Sequence, residues 1–249
     1  MRNIAVIFLV AASFLLTSCG PSLKQRKEEA YIHYRTGEVQ FAEKNYPAAL
    51  EELMKAVELN PSDATYRNML GLAYFAKKMN HEALKEFNEA VRLTPDYSEA
   101  HLNAGAVSSE LGDFDAAIAH FKAAAGNVVY KTPEYAWNNL GWAYYNKGMY
   151  QNAVESYKKA IEALPAYQMA YYNMGLALDK MDKADEAAQA LRKTIELAPN
   201  FAEAHYQLGL VSVRRKDKKT ARQAFSRVME LAPRGDKARS AKEYLDLLK

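Results

Sequence analysis

Cysteine is almost missing from this chain: Cys19 is the single one in 249 residues. That excludes an internal disulfide and a thiolate metal cage. Proline and glycine are sparse, 8 and 11, which excludes collagen-like and Pro/Gly-rich disordered classes. No apolar run is long enough to cross a bilayer as a mature helix, which takes roughly 20 residues; the longest covers 4–16. Neither sign of charge dominates, with Lys+Arg 33 against Asp+Glu 30 and a net charge of +3. A dedicated nucleic-acid binder would carry a clear basic excess, so no nucleic-acid partner is expected. No H-E-x-x-H, G-x-S-x-G or phosphate-binding glycine loop occurs. Without a convergent set of titratable groups, neither enzymatic activity nor a cofactor or metal is expected. What remains is a chain that is 49% hydrophobic and 25% charged, with 17 tyrosines.

The first residues have the layout of an export signal: Arg2, a short apolar run, then small residues. Leu16-Thr17-Ser18-Cys19 resembles the bacterial lipobox, in which the cysteine is lipidated and becomes the mature N-terminus. The resemblance implies a signal peptide over 1–18, lipidation of Cys19, and a membrane contact made through that lipid. Gly20, rather than Asp, follows the cysteine; under the sorting convention of diderm bacteria this implies the outer membrane, with the folded part in the periplasm. Acyl burial at about 0.8 kcal/mol per CH₂ makes release from the membrane negligible once several chains are attached. The polar stretch that follows reads as an extended tether, so that 19–29 separate the lipid from the first folded unit.

Beyond it one pattern occurs six times. Gly37, Gly71, Gly105, Gly141, Gly175 and Gly209 are spaced 34, 34, 36, 34 and 34. Twelve residues after each stands Ala49, Ala83, Ala117, Ala153, Ala187 or Ala221. Four further on is a large apolar residue: Leu53, Phe87, Phe121, Tyr157, Leu191 or Phe225. Pro61, Pro95, Pro165, Pro199 and Pro233 close five of the units, where a missing N–H and a fixed φ end a helix. Small residues on two helices permit close approach where they cross. The pattern resembles the tetratricopeptide repeat. It predicts an all-α, right-handed superhelical solenoid of six helix-turn-helix units over 30–63, 64–97, 98–133, 134–167, 168–201 and 202–235. No helix pair buries its apolar face alone, so the units must stack. Ala238, Ala241, Leu245 and Leu248 recur at helical spacing and predict a capping helix over 236–249. The third unit is two residues longer than the others, through 126–134; loops tolerate such insertions at little cost.

Four places on the first helix of each unit line the inner wall in this repeat: six and three before the glycine, and one and four after it. They yield Tyr31, Tyr34 and Phe41 in unit one, and Asn68, Leu72 and Phe75 in unit two. Unit four supplies Tyr135, Asn138, Trp142 and Tyr145, and unit five Tyr172. Aromatic and aliphatic residues along a groove are anchors for an apolar segment of a protein partner. The unit one and two residues are expected to face the groove and not the core. The wall lacks the Lys/Arg/Asn set that clamps a C-terminal carboxylate in some repeat proteins of this type, so apolar rather than carboxylate recognition is expected. His33, His101 and His205 occupy one repeated place and read as packing residues, since Trp137 and Tyr171 stand at the same place. The run 214–219, with five cations, reads as a solvated turn.

A lipobox followed by six such repeats is similar to the type IV pilus pilotin family, the PilF/PilW type, as is Tyr130-Lys131-Thr132-Pro133 at the extended junction. That resemblance implies a non-enzymatic lipoprotein that brings a secretin to the outer membrane and promotes its multimerisation. The alternative is an adaptor that docks peptidoglycan hydrolases or another envelope complex.

Overall fold

The computed structural model describes residues 22–248. The signal segment and Cys19 lie outside them. Thirteen α-helices and no strand occur among the described residues: α1 (Leu23–Ala42), α2 (Tyr46–Leu59), α3 (Ala64–Ala76), α4 (Asn80–Leu93), α5 (Ser98–Glu110), α6 (Phe114–Gly126), α7 (Pro133–Asn146), α8 (Tyr150–Ala163), α9 (Gln168–Lys180), α10 (Ala184–Leu197), α11 (Ala202–Arg214), α12 (Lys218–Leu231) and α13 (Asp236–Leu247). The first twelve pair as antiparallel helices A and B in six units, and each unit touches chiefly its neighbours. The result is the expected solenoid, its core a series of clusters along the stacked units.

Each helix A ends in the same way. The residue seven after the glycine takes a left-handed conformation: Lys44, Lys78, Gly112, Gly148, Asp182 and Lys216, with φ between 57° and 80°. The next N–H reaches back five residues, as in Asn45 to the Gln40 carbonyl and Met149 to the Tyr144 carbonyl, which closes the helix with a Schellman turn. Asp113 and Asp217 then cap α6 and α12, each accepting from a backbone N–H three residues on at 3.0 Å.

The glycines do something more specific than let two backbones approach. A Cβ at Gly141 would lie 2.5 Å from the ring of Tyr157, and one at Gly71 2.6 Å from the ring of Phe87. The large apolar residue of helix B fills the space that a side chain on helix A would need. Where that residue is leucine, beside Gly37 and Gly175, a helix B carbonyl also lies 3.4 Å from the same point.

The structure corrects the tether. Residues 23–29, read as extended, are the first turns of α1. The Ser22 hydroxyl accepts from the Gln25 N–H at 3.2 Å, and the Gln25 side chain accepts from the Ser22 N–H at 2.8 Å. This capping box starts a helix through Lys, Gln, Arg and Glu, all good helix formers. Pro133, counted with the tail of unit three, opens α7, where its lack of an N–H costs nothing. At this junction Asn127 donates to the Asp96 carbonyl at 2.9 Å and to the Ser98 hydroxyl at 2.8 Å. The insertion is therefore tied to the turn between units two and three. At the far end α13 packs Ala238 and Ala241 inward, and Tyr244 stacks on Phe225 at 4.9 Å.

The repeated histidine place pairs with a residue nineteen further on, in helix B. His33 Nδ1 lies 2.6 Å from Glu52, and Arg67 2.7 Å from Glu86. In unit three His101 Nε2 donates to the Pro95 carbonyl at 3.0 Å, which leaves its Nδ1 to accept from His120 Nδ1 at 3.1 Å. Burial, and then the nearness of His101, hold the His120 imidazole below its ordinary 6.5. A histidine depressed in the folded state binds its proton more readily when unfolded. Stability is therefore complete above pH 6.5 and falls as the pH drops below it. Each tenfold of disfavoured protonation is worth about 1.4 kcal/mol. Urea melts at pH 7.5 and 5.5 should show this loss. The His120→Ala variant, which copies Ala224 opposite His205, should lose less; an equal loss in both would remove the histidine pair as its cause.

Candidate functional site

The inner wall is built by the A helices, and the structure divides its expected residues into two sets. Asn68 and Asn138 are not available to a partner. Both are buried, and each accepts from an asparagine of the following unit, Asn103 and Asn173, at 3.0 Å. A buried amide must be satisfied, and stacking places the next unit's amide within reach. These residues are rungs that staple one unit to the next.

The aromatic residues of units one and two are also less free than expected. Tyr34 stacks on Tyr66, ring centres 4.7 Å apart and 20° from parallel, and its hydroxyl donates to Glu38 at 2.5 Å. Burial, and then this hydrogen bond, push its pKa far above the usual value for tyrosine. Tyr34 and Phe41 pack on the first core cluster, and Leu72 and Phe75 on the cluster around Phe87. Their inner edges meet the groove while their bodies fill inter-unit space, so truncation must cost stability as well as binding. Tyr31 alone of this set is largely exposed.

Units four and five carry the open part of the wall. Tyr135 is 44% and Trp142 42% exposed. Trp142 lies nearly parallel to Tyr145 at 5.4 Å, and Tyr145 meets Tyr150 edge-on at 5.4 Å. Tyr135 meets Tyr167 at 5.5 Å, and Tyr172 meets Phe201 at 4.9 Å. Tyr145 and Tyr172 are half-buried on the main core. Burial raises the pKa of Tyr145, Tyr167 and Tyr172, so all three stay neutral donors. The wall thus carries aromatic pairs beside the buried Asn138–Asn173 rung. It offers flat apolar surface and hydroxyl tips, the chemistry for gripping an apolar peptide segment.

Sequence reasoning missed Tyr150, Tyr167 and Phe201, which stand in turns or at a helix start. A signal was present: Tyr97, Tyr167 and Phe201 share the place eight before the glycine. The basic turn of unit six is partly neutralised, with Arg214 on Asp179 and Arg215 on Asp185. Among the described residues no three His, Cys, Asp or Glu side chains are placed to hold a metal, and no helix is long and apolar enough to cross a membrane.

Family models described as tetratricopeptide or TPR repeat match residues 37–78, 71–109, 98–126, 134–167 and 172–248. The chain is 30% identical over 112 residues to BBSome complex member BBS4 of Bos taurus, which is 45% of this chain and 21% of that one. It spans about a fifth to a quarter of the length of the curated relatives it matches. Among solved structures, PilF of Pseudomonas aeruginosa superposes with a TM-score of 0.75 at 18% identity, over 88% of this chain and 99% of that one. PilW, a widely conserved type IV pilus biogenesis factor, superposes with a TM-score of 0.76 at 17% identity, over 85% and 97%. At such identities these structures speak for the fold alone. With the glycine crossings, the stacked units and the repeat models in agreement along nearly all the described residues, the chain belongs to the tetratricopeptide-repeat proteins.

Proposed function

We propose that this protein is a lipid-anchored scaffold of the outer membrane that holds an apolar segment of a secretin, carries it to that membrane and favours its multimerisation. The observation that carries the reading is the open aromatic wall of unit four, where Tyr135 and Trp142 are each more than two-fifths exposed. The agreement in fold with two pilus biogenesis proteins over almost their whole length supports it. Cys19 is the lipid attachment point in this reading. Only two residues separate it from the capping Ser22, a reach of about 10 Å. The solenoid is then held against the membrane more closely than an eleven-residue extended tether would hold it.

Two measurements test this. Cys19→Ser should abolish incorporation of labelled fatty acid and leave an uncleaved precursor; continued labelling would reject the anchor. Depleting the protein should lower the heat-resistant secretin multimer in outer-membrane fractions. An unchanged multimer would reject the pilotin role while leaving the peptide-binding wall to another partner.

A further inference from the structure

Antiparallel pairing sets the helix ends on two edges of the solenoid. One edge carries the turns within units, from helix A to helix B. The other carries the start of α1 and the turns that follow each helix B. The two edges differ in chemistry. Eleven of the eighteen residues in the turns within units are charged, against four of the twenty-six in the turns that follow the B helices.

The second edge is most apolar in its lengthened turn, 127–132. Val128 is 97% and Val129 76% exposed. They hold the two middle places of a tight turn, closed by the Tyr130 N–H donating to the Asn127 carbonyl at 3.1 Å. Gly, Pro, Asn, Asp or Ser ordinarily stands at such places. Turn chemistry does not call for valine there, and no core takes the pair in. The tip is nonetheless held in place. The Asn127 side-chain oxygen accepts from the Val129 N–H at 3.1 Å, while its amide group donates to the Asp96 carbonyl and the Ser98 hydroxyl. Tyr130 packs beneath, on the cluster of Ala124, Ala125 and Ala136. In the next turn Leu164, Pro165 and Ala166 are exposed as well.

We propose that the Val128–Val129 tip enters the bilayer interface as a second membrane contact, laying this edge of the solenoid against the lipid. The inference rests on lipidation of Cys19. That residue stands three before Ser22, whose cap opens α1 on the same edge, so the lipid draws the chain to the membrane by its apolar edge and not by its charged one. Two units further along, the valines supply the second point, and burial in the interface stabilises them there. Lys131, exposed beside them, suits anionic headgroups. The four charges in the turns of this edge, Asp63, Asp96, Lys131 and Arg234, are two of each sign, so no net charge in these turns opposes the approach. A protein fits the tip less well. Two valines fall far short of the roughly 800 Å² per partner of a stable interface, whereas an anchored chain is held beside the bilayer and needs only a weak second contact.

The test uses the full lipidated chain in vesicles of phosphatidylethanolamine and phosphatidylglycerol. A thiol-reactive fluorophore is placed on Val129→Cys, with Lys77→Cys on the charged edge as control. Nitroxide-bearing acyl chains should quench the probe at 129 at least threefold more than the probe at 77. Adding Val128→Asp should bring quenching at 129 down to the control, with the melting temperature unchanged. Equal quenching at the two positions overturns the inference. So does a probe at 129 that is shielded from water yet untouched by the nitroxide, which would put a second copy on the tip. A melting temperature lowered by Val128→Asp overturns it too, since the pair would then serve the fold. The unsubstituted chain separates these failures from failure of the anchor. A lipidated Cys19 has no free thiol and takes up no fluorophore, whereas labelling of the unsubstituted chain would reject the anchor and this inference with it.

Discussion

Gly141→Ala should destabilise the solenoid by about 2–3 kcal/mol, although alanine is the better helix former by about 1 kcal/mol. The new methyl would lie 2.5 Å from Cε1 and 2.7 Å from Cδ1 of Tyr157. That ring is fully buried and has nowhere to retreat. Gly126, with nothing within 4 Å of a Cβ, is the internal control, and Gly126→Ala should be close to neutral. Combining Gly141→Ala with Tyr157→Leu, the residue type found opposite Gly37 and Gly175, should recover at least about 1 kcal/mol of the loss, because a leucine can turn aside where a ring cannot. The Tyr157 hydroxyl is itself buried, with no hydrogen-bond partner among the described residues. Tyr157→Phe alone should therefore stabilise by about 1 kcal/mol, matching Phe87, Phe121 and Phe225. Urea melts followed by circular dichroism read all of these. Because each unit leans only on its neighbours, the Gly141 variants should also broaden the transition. An additive Gly141–Tyr157 pair would show that ring and glycine do not share a space.

The second large effect is on binding. Replacing Tyr135 and Trp142 together by alanine should lower affinity for the partner segment at least about thirtyfold, since exposed aromatic anchors commonly contribute about 2–4 kcal/mol each. Both rings are more than two-fifths exposed, so melting should change little. Tyr34→Ala with Phe75→Ala is the instructive contrast. Those side chains fill space between units, so the pair should lower stability, and any loss of binding would follow partly from it. Partner recovery from detergent-solubilised membranes, scored beside the melting temperature, separates the two cases. Full recovery by a folded Tyr135/Trp142 variant would move the binding surface off units four and five.

Much of this molecule is local, and for that reason it could be read from the chain. The glycine, the alanine twelve residues on and the proline that closes helix B all lie within one unit, and repetition turns six weak signals into one strong one. The left-handed residue seven after each glycine was harder to see, because four of the six are Lys or Asp and only Gly112 and Gly148 advertise the turn. The beginning of α1 misled because a polar stretch is equally suited to an extended linker and to an exposed helix; the reciprocal bonds between Ser22 and Gln25 settle it.

The residue pattern by itself determined the all-α class, the six units, their crossings and the cap, since each follows from side-chain size at fixed spacing along one or two helices. Which wall residues a partner can touch was decided only by stacking. Asn68 and Asn138 carry the same side chain as any exposed asparagine, and become buried rungs because the following unit sets Asn103 and Asn173 against them. Tyr34 is withdrawn from the groove by Tyr66 of the next unit, while Tyr135 and Trp142 stay open. Exposure is a property of a residue's neighbours in space, and here those neighbours stand about one repeat away in sequence.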